Sequence, residues 1–231
     1  MQKEREKSVR ETNATNLTLP SYNRKEELLN TISHIVGAVL GLAFLIILLI
    51  ISVNNDNVMG VVSSIIYSIT VMILYSCSAY YHGLHQVRPK KVFRVLDHCS
   101  IFLLIAGTYT VISLSGVAPV YPAIGWIMFG CVWGLSILGI VLNAISIEKF
   151  KIVSMILNIV IGWFCVVFAY YVIDAITLAG FLVILAGGIC YTLGAILYGI
   201  GKKIQYFHSV FHFFVLAGTI VQFLGIAIYC I

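Results

Sequence analysis

Seven stretches of the chain are apolar almost without interruption, roughly 31–53, 58–82, 95–114, 119–142, 152–173, 175–200 and 205–230. Each is long enough, at 1.5 Å of helical rise per residue, to cross about 30 Å of hydrocarbon. The pattern predicts an all-α membrane protein, a seven-transmembrane-helix bundle. Residues 1–25 form a polar N-terminal tail and residues 26–231 a single transmembrane domain. The apolar run that follows the tail is too long for a signal-peptide core, which predicts an uncleaved first span.

Composition closes off the soluble alternatives. Of 231 residues, 61% are hydrophobic and 10% charged, and the mean hydropathy is +1.03. No loop is long enough to fold as an extramembrane domain.

Charge then orients the bundle. Lys3, Arg5, Lys7, Arg10, Arg24 and Lys25 precede the first span, and Arg88, Lys90, Lys91 and Arg94 follow the second. Lys149 and Lys151 lie between spans four and five, and Lys202 and Lys203 between six and seven. The alternate loops carry no Lys or Arg. By the positive-inside rule all 14 basic residues are cytoplasmic, with the N-terminus inside and the C-terminus extracellular, opposite to G-protein-coupled receptors. The net charge of +5 follows from this bias. It suits a rim beside anionic lipid and requires no nucleic acid.

Small and aromatic residues read as packing. Gly37 and Gly41 form a GxxxG in span one, Gly130 and Gly134 another in span four, and Gly187, Gly188, Gly194 and Gly199 line span six; intramolecular helix contact is the expected role, with oligomeric state open. Tyr22, Tyr80, Tyr81, Tyr121, Tyr170, Tyr171 and Tyr206 fall near span ends as an aromatic belt does, and Trp126, Trp133 and Trp163 suit lipid or helix contact. Cys77, Cys99, Cys131, Cys165, Cys190 and Cys230 show no CxxC pair and read as small buried apolar residues. No internal repeat or Pro-broken span marks a transporter.

The polar residues inside the spans carry the candidate chemistry. Glu27, Asn30 and His34, spaced i, i+3, i+7, share a face of the helix entering span one. Ser78 and His82 share a face at the end of span two. Asp97, read as buried, and His98 open span three about 100° apart, so only one of them can point at a given centre. His208 and His212 are spaced i, i+4 at the start of span seven, the spacing by which one helix offers two imidazoles to a metal. All lie at one depth. A lone residue of this kind is commonly an interfacial group bonded to backbone or water. Taken together, His82, His208 and His212 supply three neutral nitrogens and leave a fourth position for water, which Asp97 could orient or deprotonate, as in a catalytic zinc site. Glu27, Asn30 and His34 then form a supporting layer, and His85 is solvated.

These blocks, EELLNTISH around Glu27 to His34, SAYYH from Ser78 to His82, LDHCSIFLLIAGTYT from Leu96 and HSVFH from His208, resemble the hemolysin III family, the bacterial branch of the progestin and adipoQ receptor superfamily. The resemblance covers nearly the whole membrane region. It implies zinc held by His82, His208 and His212, with Asp97 contacting the bound water and Ser78 nearby. Bacterial relatives often carry a further histidine where this chain has Gln222, about 20 Å along the helix from His208 and too far to share its ion.

Three functions follow as expectations. The first is a zinc-dependent hydrolase of lipid amides or esters, ceramidase-like, with membrane lipid as partner. The second is a cytolytic pore, although the outer halves of the spans carry only scattered polar residues. The third is a membrane-lipid sensor with a structural metal.

Overall fold

The computed structural model describes residues 17, 19–20, 22–200 and 204–231. Most of the expected tail, residues 1–16, 18 and 21, therefore lies outside the described residues, as do Lys202 and Lys203. The described chain is helical throughout: α1 (Arg24–Asn54), α2 (Val58–Gly83), α3 (Val87–Thr110), a π-helical continuation of α3 (Val111–Val117), α4 (Pro122–Gly162), the short α5 (Phe164–Val167), α6 (Ala169–Ile200) and α7 (Phe207–Tyr229). Among the described residues six helices are long and apolar enough to cross a membrane, which makes this a multi-pass membrane protein.

Two of these elements are longer than one crossing needs, and each is interrupted at a single residue. In α4, Ser146 is extended (φ −168°, ψ 110°), and its Oγ accepts from the Lys149 amide at 3.3 Å, as a helix N-cap does. The chain doubles back there. Ser154 Oγ donates to Asn143 Oδ1 at 2.6 Å, whereas 11 residues of straight helix would separate them by about 16 Å. In α6 the break is Thr177 (φ 69°, ψ 160°), whose Oγ1 accepts from Gly180 N–H at 3.3 Å. The Trp163 indole donates to Thr192 Oγ1 at 3.1 Å, so the legs on either side of Thr177 also run antiparallel. Cutting α4 and α6 at these caps gives seven legs, with breaks at 146 and 177 instead of in the expected loops near 149 and 174.

Four of the neighbouring-leg contacts explain the glycine pattern. A Cβ on Gly37 would lie 2.4 Å from the Tyr75 ring, and one on Gly41 2.8 Å from Met72, so the α1 GxxxG brings α1 against α2 as expected. A Cβ on Gly187 would meet Gln222 and one on Gly194 would meet Phe214, which seats α6 on α7. Gly130 and Gly134 overturn the packing expectation: nothing lies within 4 Å of their Cβ positions, because that face of α4 points out of the bundle. Cys131 shares it and is exposed, so it too departs from the buried reading; the other five cysteines are buried or half-buried, and all six are free.

The third leg is the axis of the bundle. In Val87–Val117, 83% of the most apolar window is buried, against 28% in α1. The π-helical end is buried at every residue, and the Ala118 amide donates to the Ser113 carbonyl at 2.8 Å, an i→i+5 bond. Tyr109 fastens the fifth leg to this axis: its hydroxyl donates to the Gly162 carbonyl at 3.1 Å and accepts from Cys165 N–H at 2.7 Å. Trp133 donates to Thr110 Oγ1 at 3.0 Å, while Trp126 is exposed.

Candidate metal centre

One end of the bundle gathers the described basic residues. Asn23 caps α1 in a reciprocal capping box with Glu26, and Glu26 Oε1 also accepts from the Tyr206 amide just before α7. That contact locks the start of α1 to the start of α7, with Tyr206 in the left-handed region at φ 67°. Glu27, one residue on, reaches across to α2 and α3. The Lys90 ammonium donates to its Oε1 at 2.5 Å. Arg94 pairs with Glu148 at 3.0 Å, tying α3 to the reversal in α4.

Inside this rim four of the six histidines meet. His82, His208 and His212 offer ring nitrogens that all lie within 4.8 Å of one another. The Nε2 atoms of His82 and His208 are 3.2 Å apart, and those of His208 and His212 2.8 Å apart. His82 and His212 are each 2% exposed.

The outer nitrogens decide which way the inner ones face. A carboxylate only accepts, so His82 Nδ1–H donates to Glu27 Oε2, 2.6 Å away, and leaves a lone pair on Nε2. Asn30 Nδ2 lies 3.4 Å from the same Nδ1. His34 Nε2 contacts His212 Nδ1; when His212 donates there, its Nε2 also turns a lone pair inward. Two lone pairs then converge on His208 Nε2, where a single ring proton serves only one. Three nitrogens bound to one tetrahedral ion at about 2.0–2.1 Å sit roughly 3.3 Å apart, within a few tenths of an ångström of the closest separations here. The donor set fits a borderline-soft divalent ion.

Other groups close the site. Tyr22, in the segment before α1, stacks on His208 with ring centroids 4.7 Å apart and 20° between planes. Burial there raises its hydroxyl far above the usual phenol range. Tyr198 lies 5.4 Å from His208 on another side. Ser78 Oγ, one turn before His82 and buried, has no hydrogen-bond partner among the described residues, and neither do Asn30 Oδ1 and His208 Nδ1.

Not every expected member joins. Asp97 is half-buried, not buried, and stands outside the tight nitrogen group among the described residues. His98 instead turns its carbonyl to Asn143 Nδ2 at 3.2 Å, and His85 is exposed. Gln222 is buried against Gly187. Sequence reasoning missed Tyr22 and Lys90: the first looked like belt aromatic, the second like a topology charge. The signal available was their position, since Tyr22 directly precedes the α1 cap and Lys90 lies eight residues after His82.

An apolar groove of about 400 Å³ runs between α2 and α3, lined by Ile69, Met72, Ile73, Cys77, Tyr80 and Phe93.

Residues 22–223 match the family model described as Haemolysin-III related. The chain is similar to Hemolysin-3 from Bacillus cereus, 35% identical over 208 residues, covering 89% of this chain and 92% of that protein. It is also similar to a Hemolysin-3 homolog from Bacillus subtilis (strain 168), 32% identical over 207 residues, covering 90% and 95% of the two chains.

Proposed function

The chain belongs to the haemolysin-III family, and from that membership and the histidine geometry we propose that it is a membrane-embedded zinc hydrolase of lipid amides or esters. The observation that carries this reading is the convergence of three Nε2 atoms, with the Nδ1 atoms of His82 and His212 held from behind by Glu27 and His34. His82, His208 and His212 would hold the zinc, which would supply Lewis acidity toward a carbonyl and activate water.

The protein's own groups divide the remaining work. Glu27 fixes the tautomer and orientation of His82, and His34 holds the orientation of His212. Asp97, set back from the nitrogens, is the proton acceptor for the attacking water. Ser78 presents a buried hydroxyl with unused hydrogen-bonding capacity, suited to a carbonyl or water oxygen. Tyr22 covers His208 and excludes bulk solvent. The α2–α3 groove suits an acyl chain arriving sideways from the lipid.

The basic end is the cytoplasmic one in this reading, with residues 1–25 a cytoplasmic tail and the C-terminus extracellular. The names of the two relatives favour a second reading, a pore that lyses cells. Elemental analysis of purified protein beside a lipid-hydrolysis assay separates the two. Stoichiometric zinc with release of fatty acid supports the hydrolase. Dye release from vesicles without zinc and without hydrolysis supports the pore.

A further inference from the structure

Beyond the histidine centre, one face of α2 is lined with polar side chains almost from end to end. Ser64, Ser68, Tyr75, Ser78 and His82 recur at intervals of 4, 7, 3 and 4 residues, which keeps them on one side of the helix. Tyr67 adds its hydroxyl beside Ser68. All six are buried, and Val71 is the apolar residue that interrupts the stripe. From Ser64 to His82 is about 27 Å of helix, close to the thickness of a hydrocarbon core.

Neighbouring helices add polar partners to the stripe in separate groups. Thr219 of α7 donates to its own Val215 carbonyl at 3.0 Å, so Tyr75 and Tyr191 both donate to the Thr219 oxygen, at 2.7 and 2.8 Å. Toward the far end, Ser64 and Ser52 hydroxyls are 3.4 Å apart. A Cβ on Gly60 would sit 2.9 Å from Ser52 Oγ and 2.8 Å from Asn57, which places Ser52 next to the half-exposed Asn57 at the α1–α2 turn. Asn57 Nδ2 in turn donates to Ser115 Oγ at 3.1 Å.

Hydroxyls inside a membrane bundle ordinarily bond to their own helix carbonyls. Ser52, Ser63 and Thr70 do so. Tyr67 OH, Ser68 Oγ and Ser78 Oγ do not: each is fully buried without a partner among the described residues. A buried hydroxyl left alone costs about 1–3 kcal/mol, and polar groups at membrane depth commonly mark a path for ions or protons. Three such groups on one stripe point to partners that come and go along it.

We propose that this stripe is a proton-transfer track, with water between its hydroxyls, that links the histidine end of the bundle to the opposite end. At each step an oxygen accepts a proton on its lone pair and releases its own O–H proton to the next acceptor, so no bond is gained or lost overall. The track stands independently of the zinc reading, since Tyr67, Ser68, Tyr75, Tyr191 and Thr219 lie outside the metal centre.

The test uses the full chain in phosphatidylcholine–phosphatidylglycerol vesicles loaded with pyranine and potassium. Valinomycin then sets an inside-negative potential and balances the entering charge. Acidification several-fold faster than in protein-free vesicles is expected, falling about tenfold in Tyr75→Phe and in Tyr67→Phe. Ser136→Ala, which removes a buried unpartnered hydroxyl on α4 away from the stripe, is expected to conduct like the wild type. Should either phenylalanine variant fail to give monodisperse protein, Ser68→Ala carries the comparison. Acidification no faster than in protein-free vesicles overturns the proposal, as do stripe variants that conduct like the wild type. Release of carboxyfluorescein at the same rate as proton entry also overturns it, in favour of a wide pore.

Discussion

Replacing Glu27 by glutamine isolates the most testable contact behind the metal centre. The carboxylate holds His82 Nδ1 at 2.6 Å and Lys90 at 2.5 Å. Its side chain is 20% exposed, whereas the His82 side chain is fully buried, so the two contacts differ in worth. The Lys90 side chain is 13% exposed, so its contact at the rim belongs near the upper end of the surface range, about 1 kcal/mol. Charge-assisted hydrogen bonds are roughly twice as strong as neutral ones, and removing a group that orients a ligating histidine typically weakens metal binding about 10–100-fold. Glutamine still offers an oxygen to His82, so Glu27→Gln belongs near the tenfold end, about 1.4 kcal/mol. Glu27→Ala belongs near a hundredfold. Lys90→Met is expected to cost less than about fivefold, because it reaches the metal only through Glu27. Competition against a chromophoric zinc chelator in detergent measures all three. The reasoning fails if Glu27→Gln binds zinc as the wild type does while Lys90→Met carries the loss. It fails equally if Glu27→Gln abolishes binding as completely as His208→Ala, which would make Glu27 a direct ligand.

Other consequences concern packing, chemistry and orientation. Gly139→Ala places a methyl 2.2 Å from the buried Phe102 ring and is expected to cost about 1–3 kcal/mol, whereas Gly130→Ala, with nothing within 4 Å, is expected to be neutral or slightly stabilising; thermal melting in detergent ranks them. Tyr109→Phe leaves the Cys165 amide without its buried acceptor and is expected to lose about 1–3 kcal/mol in the same assay. Asp97→Asn is expected to keep the metal and lose lipid hydrolysis, while His208→Ala loses both; an active Asp97→Asn enzyme would remove Asp97 as proton acceptor. Single cysteines at Lys90 and Lys149 are expected to react with membrane-impermeant reagent from the cytoplasmic side only, and labelling of either from outside would reverse the topology.

Much of this was legible because apolar run length and loop charge are one-dimensional signals. Seven runs correspond to seven legs, and the i, i+4 spacing of His208 and His212 marked the face that meets His82. The breaks were less legible. Ser146 and Thr177 end one leg and begin the next with a single capping residue and no Pro or Gly turn, so hydropathy put the boundaries at the nearby polar residues Lys149 and Asp174. The glycines of α4 misled because GxxxG states that a helix face is flat, not which surface it meets. Tyr22 and Lys90 escaped notice because their roles depend on how α1, α2 and α3 converge at one rim. Glu27 was placed in the supporting layer by helical phase alone; that its carboxylate faces His82 Nδ1 needed the α1–α2 crossing.

Zinc-edge X-ray absorption of protein purified without chelator tests the central claim most directly. The expected spectrum is one zinc per chain with about three imidazole nitrogens and one oxygen at about 2.0–2.1 Å, and a metal content that collapses in His208→Ala. Protein without stoichiometric zinc, or zinc in a shell without histidine nitrogens that survives His208→Ala, would contradict it.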